Sequence, residues 1–194
     1  MKPFILRILL PALMVCQIAS AQQAASAQQN IRTIFLVRHA ETTAAMQGDE
    51  LSPAGVQRAH CLARMLKDAN IKQIYVTDAK RTQETAAPLA KALKLTPAMH
   101  PQKDPAAQIR DLFYGKEGGD ILVVGHKDTL PFIIARLNAG TVPPIADNEY
   151  DRMLVVTITE GAVTPVTTLR YCECGASPVP ATQPAPKKTV PRKR

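Results

Sequence analysis

The chain has 194 residues and a formal net charge of +8, from 24 basic and 16 acidic residues. This length accommodates one ordinary domain and not two. The excess charge lies near the ends: the first segment carries two basic residues and the last carries five, which leaves 17 basic and 16 acidic residues between them. Because the middle of the chain is nearly neutral, it lacks the basic charge of a nucleic-acid-binding domain, and we expect no nucleic-acid partner.

Residues 1–21 are typical of a signal peptide for export. Lys2 and Arg7 precede an apolar run that is too short for a comfortable transmembrane helix. Small residues at 19–21 form a cleavage site, and a second such site would place cleavage as late as residue 27. The sequence therefore predicts a periplasmic or secreted protein.

The last segment, residues 175–194, consists of Ser, Pro, Ala and Thr with a cluster of lysine and arginine and no acidic residue. Such a composition buries too little apolar surface to fold, which predicts a disordered tail. Its charge allows contact with an anionic cell envelope, although a solubilising tail is the simpler interpretation. Cys61, Cys172 and Cys174 remain after signal removal, and the sequence leaves open whether any of them pair.

The middle of the chain, residues 31–171, alternates strand and helix signals and forms the predicted domain. Apolar β-branched runs and helical spacing predict, in chain order, a strand at 31–37, a helix from an N-cap at Ser52, a strand at 71–76, a helix at 80–93, a short strand at 95–99, a helix at 104–113, a strand at 121–124, a helix at 129–137 and strands at 153–159 and 163–171. This alternation is typical of βαβ units. We therefore predict an α/β fold, a three-layer α/β/α sandwich with a mostly parallel central sheet and a C-terminal hairpin at its edge.

Charged side chains follow three of these strands. Arg38 and His39 follow the first, Arg81 lies just beyond the second, and His126 follows the strand at 121–124. Since the carboxyl ends of parallel strands meet at one edge of a sheet, these side chains are expected to share a pocket. Two arginines suit a phosphate, and an imidazole can attack phosphorus. Cations already neutralise the phosphoryl charge there, so we expect neither a metal nor a cofactor.

The order of these motifs resembles the histidine phosphatase superfamily, the phosphoglycerate-mutase-like group. Residues 36–42, 51–59, 81–86 and 123–126 are similar to its successive motifs, and the likeness runs from about residue 31 to 171. The resemblance implies that His39 is the nucleophile, that Arg38 and Arg81 bind the phosphoryl oxygens, and that His126 stabilises the transition state. It implies a metal-independent phosphatase that cleaves a small phosphate monoester, or phosphohistidine, through a covalent phosphohistidine intermediate.

The sequence departs from the family pattern at two points. Ala40 stands where glycine is usual, which costs little unless the turn requires a positive φ. The usual proton donor is also missing: Asp128 lies two residues after His126 and fits the N-cap of the helix at 129 better than a catalytic role. Two alternatives stay open, a phosphomutase and a non-catalytic module that binds a phosphorylated envelope component.

Overall fold

The computed structural model describes residues 31–43, 49–114, 118–159 and 162–172. The predicted signal peptide, the predicted tail and the turn at 160–161 lie outside these ranges. The strands are β1 (Arg32–Arg38), β2 (Ile71–Thr77), β3 (Ala98–His100), β4 (Asp120–Gly125), β5 (Arg152–Thr159), β6 (Ala162–Val163) and β7 (Thr167–Arg170). The helices are α1 (Pro53–Leu66), α2 (Lys80–Leu93), α3 (Pro105–Tyr114) and α4 (Thr129–Arg136). None of the helices described is long and apolar enough to cross a membrane.

The sheet has the order β3-β2-β4-β1-β5-β6, and β7 also pairs with β5. The first four strands are parallel, whereas β5 runs antiparallel to β1 and to both of the last strands. This arrangement confirms the predicted α/β fold with a mostly parallel sheet and an antiparallel C-terminal edge. The central strand β1 lies between β4 and β5.

The predicted single strand at 163–171 is wrong in detail, because it is broken into β6 and β7. Pro165 falls in the break and has no N–H to donate to a strand ladder. The next residue, Val166, donates its N–H to the carbonyl of Ala139 at 2.8 Å, away from the sheet. Thr164 still donates to the carbonyl of Thr157 on β5, so the chain leaves β5 at Pro165 and Val166 before it pairs with this strand again at Thr167.

The two faces of β1 lie against two separate cores. Ile34 and Leu36 belong to the core shared with α3 and α4, and Val37 belongs to the core shared with α1 and α2. This alternation follows from the two-residue period of a strand. Helices on both faces bury the sheet completely at its centre, so the ends of the strands are the exposed part that can carry a site.

Two helix boundaries show how local chemistry sets the elements. Ser52 is the N-cap of α1, and its hydroxyl accepts from the N–H of Gly55 at 3.1 Å, as predicted. At the end of α2, Lys94 adopts a left-handed conformation with φ 56°, and Leu95 still donates to Ala90. Because residue 95 completes the helix cap, the predicted strand at 95–99 begins only at Ala98.

A disulfide joins Cys61 on α1 to Cys172, which follows β7, with 6.1 Å between the Cα atoms. This bond answers the question that the sequence left open for these two cysteines. Cys174 lies outside the described residues. The disulfide fastens the C-terminal end of the sheet to the helix that follows β1 in the chain.

Candidate active site

The ends of β1 and β4 deliver two histidines to the same point. Arg38 is in register with Gly125, and the N–H of His39 donates to the carbonyl of Gly125 at 2.9 Å. His126 follows directly, so the imidazole rings of His39 and His126 lie with their centroids 5.5 Å apart. Parallel pairing thus brings together side chains that are far apart in the sequence.

The ring of His39 is oriented by its own main chain. Its Nδ1 lies 2.8 Å from the carbonyl oxygen of Ala40. A carbonyl oxygen can only accept, so Nδ1 carries the proton and Nε2 keeps its lone pair. Burial lowers the pKa of His39 to about 4, although the hydrogen bond to Ala40 acts in the opposite direction. His39 is therefore a neutral imidazole at neutral pH, with Nε2 able to act as a nucleophile.

His126 is oriented by side chains. Its Nδ1 lies 3.3 Å from Nη2 of Arg81, and its Nε2 lies 3.0 Å from the hydroxyl of Thr77. A guanidinium only donates, so Nδ1 accepts and Nε2–H donates to Thr77. Burial lowers the pKa of His126 to about 3, and the charge of Arg81 adds to this effect. This ring is also neutral at neutral pH.

Arg38 is buried, with 7% of its surface exposed, and one edge of its guanidinium is fully used. Its Nη1 donates to the main-chain carbonyls of Ala146 and Asp147 at 2.9 Å and of Glu149 at 3.1 Å. The opposite edge of the guanidinium is formed by Nε and Nη2, and its hydrogen bonding is different. Nε is buried and has no hydrogen-bond partner among the described residues. A buried N–H without a partner is costly, which indicates that this edge receives a ligand.

Arg81 is held only by side chains. Its Nη1 donates to Asp49 at 3.1 Å, while Nη2 donates to Gln102 at 3.3 Å and approaches His126. The side chain is 20% exposed. Asp49 is exposed and Gln102 is half-buried, so these two side-chain partners can be exchanged. Arg81 can therefore turn from them towards an anion that enters the site.

The turn after His39 is fixed by three further contacts. The N–H of Ala40 donates to the hydroxyl of Thr85 at 2.9 Å, and Ala40 is not among the residues with positive φ. Alanine therefore serves in place of the usual glycine without backbone strain, as the sequence predicts. Glu41 accepts two hydrogen bonds from Nε and one from Nη2 of the buried Arg58. Arg58 also donates to the carbonyl of Cys172 at 2.6 Å, which links this turn to the disulfide.

Gly55, near the start of α1, packs against the main chain of the turn that follows His39. A Cβ atom at this position would lie 2.1 Å from the carbonyl oxygen of Glu41. Only glycine permits this approach of the helix to the turn. The sequence had placed Gly55 in a motif without giving it a role.

Asp128 does not cap α4 as predicted. It occupies the N-cap position, but its side chain makes no capping hydrogen bond and is exposed. The hydroxyl of Thr129 instead accepts from the N–H of His126 at 3.1 Å. Among the described residues, no hydrogen bond connects Asp128 to Arg38, His39, Arg81 or His126.

Sequence reasoning missed several residues of the site. Asp49 and Gln102 hold Arg81, Thr77 holds His126, and Tyr150 lies against both Arg38 and His39. Of these, Thr77 carried a signal as a polar residue at the end of β2, and Tyr150 lies in a segment, residues 144–157, that resembles a late part of short bacterial members of the family. No group of three or more His, Cys, Asp or Glu side chains is arranged to hold a metal ion within the ranges described. The site that results has two guanidinium groups and two neutral imidazoles, a set that can bind a tetrahedral oxyanion.

Comparisons with known proteins agree with this chemistry. Residues 34–106 match the model of the histidine phosphatase superfamily (branch 1), a range that includes Arg38, His39 and Arg81 and ends before His126. No curated protein shows significant sequence similarity to the chain.

Solved structures share the fold at low sequence identity. The α-ribazole phosphatase from Shigella flexneri is 18% identical with a TM-score of 0.56, covering 69% of this chain and 94% of its own. The protein histidine phosphatase SixA, solved with tungstate, is 17% identical with a TM-score of 0.55, covering 71% and 96%. A phosphoglycerate mutase from Plasmodium falciparum is 18% identical with a TM-score of 0.50, covering 77% and 95%. Residues 34–106 are therefore similar to the histidine phosphatase superfamily (branch 1), and the described chain shares its fold with these solved structures.

Proposed function

We propose that the protein is an exported, metal-independent phosphatase that works through a phosphohistidine on His39. One observation carries the proposal: Nε2 of His39 is unprotonated, and the neighbouring Arg38, whose guanidinium shares Tyr150 as a contact with the His39 ring, has a buried Nε without a partner among the described residues. A phosphoryl group suits this arrangement, because its oxygens accept two parallel hydrogen bonds from Nε and Nη2 while its phosphorus meets the nucleophile.

In the first step, the lone pair of Nε2 attacks phosphorus and the bond from phosphorus to the leaving oxygen or nitrogen breaks. The charge on the equatorial oxygens is neutralised by Arg38 and by Arg81, which leaves Asp49 and Gln102 for the phosphate. The carbonyl of Ala40 stabilises the positive imidazole through Nδ1–H. The dianion also favours a proton on Nδ1 of His126, which then donates to a phosphoryl oxygen.

In the second step, a water molecule attacks phosphorus and the bond to Nε2 breaks. The electron pair of that bond returns to Nε2, both protons of the water end on phosphate oxygens, and inorganic phosphate leaves as dihydrogen phosphate. Arg81 then regains its contacts with Asp49 and Gln102. The resting state of His39 is restored without any change in the proton on Nδ1.

The substrate class follows from the leaving group. No described carboxylate makes a hydrogen bond to either histidine, so the site favours leaving groups that need little help from a protein acid. Phosphohistidine and aryl phosphates meet this condition, whereas simple alkyl phosphates do not. The fold shared with SixA, a protein histidine phosphatase solved with the oxyanion tungstate, supports this choice.

Export is supported by the disulfide between Cys61 and Cys172, since such bonds persist in oxidising compartments. It agrees with the signal-peptide pattern of residues 1–21. Cell fractionation with N-terminal sequencing of the recovered protein tests both the compartment and the predicted cleavage after residue 21 or 27.

Hydrolysis of an aryl phosphate and of a phosphohistidine protein, by the wild type and by His39→Ala, tests the activity. We expect the variant to lose hydrolysis entirely while it keeps the circular dichroism spectrum of the wild type. Denaturation in alkali, which preserves phosphohistidine, should trap a labelled phosphoenzyme in the wild type and none in the variant. Label retained by His39→Ala would overturn the mechanism, and a lack of hydrolysis by the wild type would favour the binding module.

A further inference from the structure

Tyr150 touches both residues at the start of the active site. Its ring lies under the guanidinium of Arg38, with 4.1 Å from Cζ to the ring centroid, and it meets the ring of His39 edge-on at 6.0 Å between centroids. Its hydroxyl lies 3.5 Å from Nη2 of Arg38. This atom belongs to the guanidinium edge that has been assigned to the phosphoryl group. Tyr150 therefore borders the place where the phosphate binds.

The segment that carries Tyr150 is held in place on both sides. Arg38 donates to three carbonyls between residues 146 and 149. The carboxylate of Glu149 accepts from Arg152 at 2.7 Å through both of its oxygens and from the N–H of Ala146 at 3.1 Å. A side chain on such a braced segment keeps its position before substrate arrives, which is what a binding group requires.

The hydroxyl of Tyr150 still has its proton available to donate. Against Arg38 it acts as an acceptor, because a guanidinium can only donate. None of the hydrogen bonds formed between described residues uses its proton. A phosphoryl oxygen bound to Nη2 of Arg38 lies next to this proton and is a strong acceptor.

We propose that Tyr150 is a substrate-binding residue whose hydroxyl donates to a phosphoryl oxygen on the Nε and Nη2 edge of Arg38. The inference rests on the proposed function, since it takes the ligand to be a phosphoryl group. The resulting chain runs from Nη2 of Arg38 to the tyrosine oxygen and from the tyrosine proton to the phosphate. The hydroxyl adds a neutral donor to a site whose other donors are the arginines and His126.

The test compares Tyr150→Phe with the wild type in two measurements on the full chain. One is kcat/KM for an aryl phosphate, and the other is the Kd for tungstate. The phenylalanine keeps the ring against Arg38 and His39 and removes only the donor. We expect kcat/KM to fall about tenfold and the Kd for tungstate to rise by a similar factor, as the loss of a hydrogen bond to a charged group predicts.

Tyr75→Phe is the matched control, since its hydroxyl bonds to Gln73 at 2.6 Å on β2. It should leave kcat/KM and the tungstate Kd unchanged. If Tyr150→Phe equals the wild type in both measurements while His39→Ala is inactive, the tyrosine proposal fails and the phosphatase stands. If the wild type hydrolyses nothing, tungstate binding alone decides: an equal Kd for the wild type and Tyr150→Phe overturns the proposal, and a weaker one supports it.

Discussion

Arg38 and Arg81 bring the same group to the same site, but the two regions that hold them differ. Arg38 is buried and donates to three main-chain carbonyls of residues 146–149. Arg81 is partly exposed, and within the described ranges its guanidinium bonds to the side chains of Asp49, Gln102 and His126. The two histidines differ in the same way: the ring of His39 hydrogen-bonds to a main-chain carbonyl, and the ring of His126 hydrogen-bonds to side chains.

The difference separates a fixed half of the site from an exchangeable half. Main-chain acceptors move only if the fold moves, so Arg38 and His39 are already placed for a phosphoryl group. Side-chain partners can be released one at a time, so Arg81 and His126 can change partners when an anion arrives. A fixed half favours catalysis through preorganisation, and an exchangeable half allows substrate to enter and phosphate to leave.

Replacing each arginine by alanine should give the largest difference between the fixed half and the exchangeable half of the site. Arg38→Ala leaves three main-chain carbonyls without their shared donor, so we expect kcat/KM to fall about 10³-fold and the free energy of unfolding to fall by about 3 kcal/mol. Arg81→Ala should lower kcat/KM by about 10²-fold and the free energy of unfolding by less than about 1 kcal/mol, because its ion pair with Asp49 lies near the surface. Steady-state kinetics and urea unfolding measure both effects. Equal losses of stability in the two variants would contradict the division into two halves.

The pH dependence of stability tests the buried, neutral state of both histidines. Their folded pKa values, about 4 for His39 and about 3 for His126, lie below the ordinary value of 6.5. As pH falls below 6.5, the unfolded chain binds protons that the folded chain refuses, so stability is lost down to the folded pKa values. Between pH 7.5 and pH 5 we expect a loss of about 2 kcal/mol for each histidine.

Urea unfolding at the two pH values measures this loss, with His126→Asn as the comparison variant. The variant should lose about half of the pH-dependent change, since one of the two buried imidazoles is gone. A variant as sensitive to pH as the wild type would show that His126 does not contribute.

Asp49→Asn, which alters one exchangeable partner of Arg81, should have the smallest effect of these substitutions. The carboxylate competes with phosphate for Arg81, so its loss should lower the inhibition constant of inorganic phosphate about threefold, in line with an exposed ion pair worth less than 1 kcal/mol. Inhibition of aryl phosphate hydrolysis gives this constant. A tenfold fall in kcat would instead assign Asp49 a part in the proton transfer to the leaving group.

The fold could be predicted from the sequence where local pattern decides it. The apolar run of β1, the cap at Ser52 and the polar residues after each strand all report local preferences. The partners of Arg81, the contact of Tyr150 and the disulfide depend on where distant loops return, which no short pattern records. The break at Pro165 and the bond from Thr129 to His126 show the same limit, because each reflects competition between partners that only the folded chain brings together.

The central position of β1 determines when the site can form during synthesis and folding. This strand comes early in the chain, yet Ile34 pairs with Ile121 on one side and with Val156 on the other. His39 therefore has no pocket until almost the whole domain has been synthesised. A partly synthesised or truncated chain carries His39 without the strands β4 and β5 that complete its surroundings, so the site forms only late in folding.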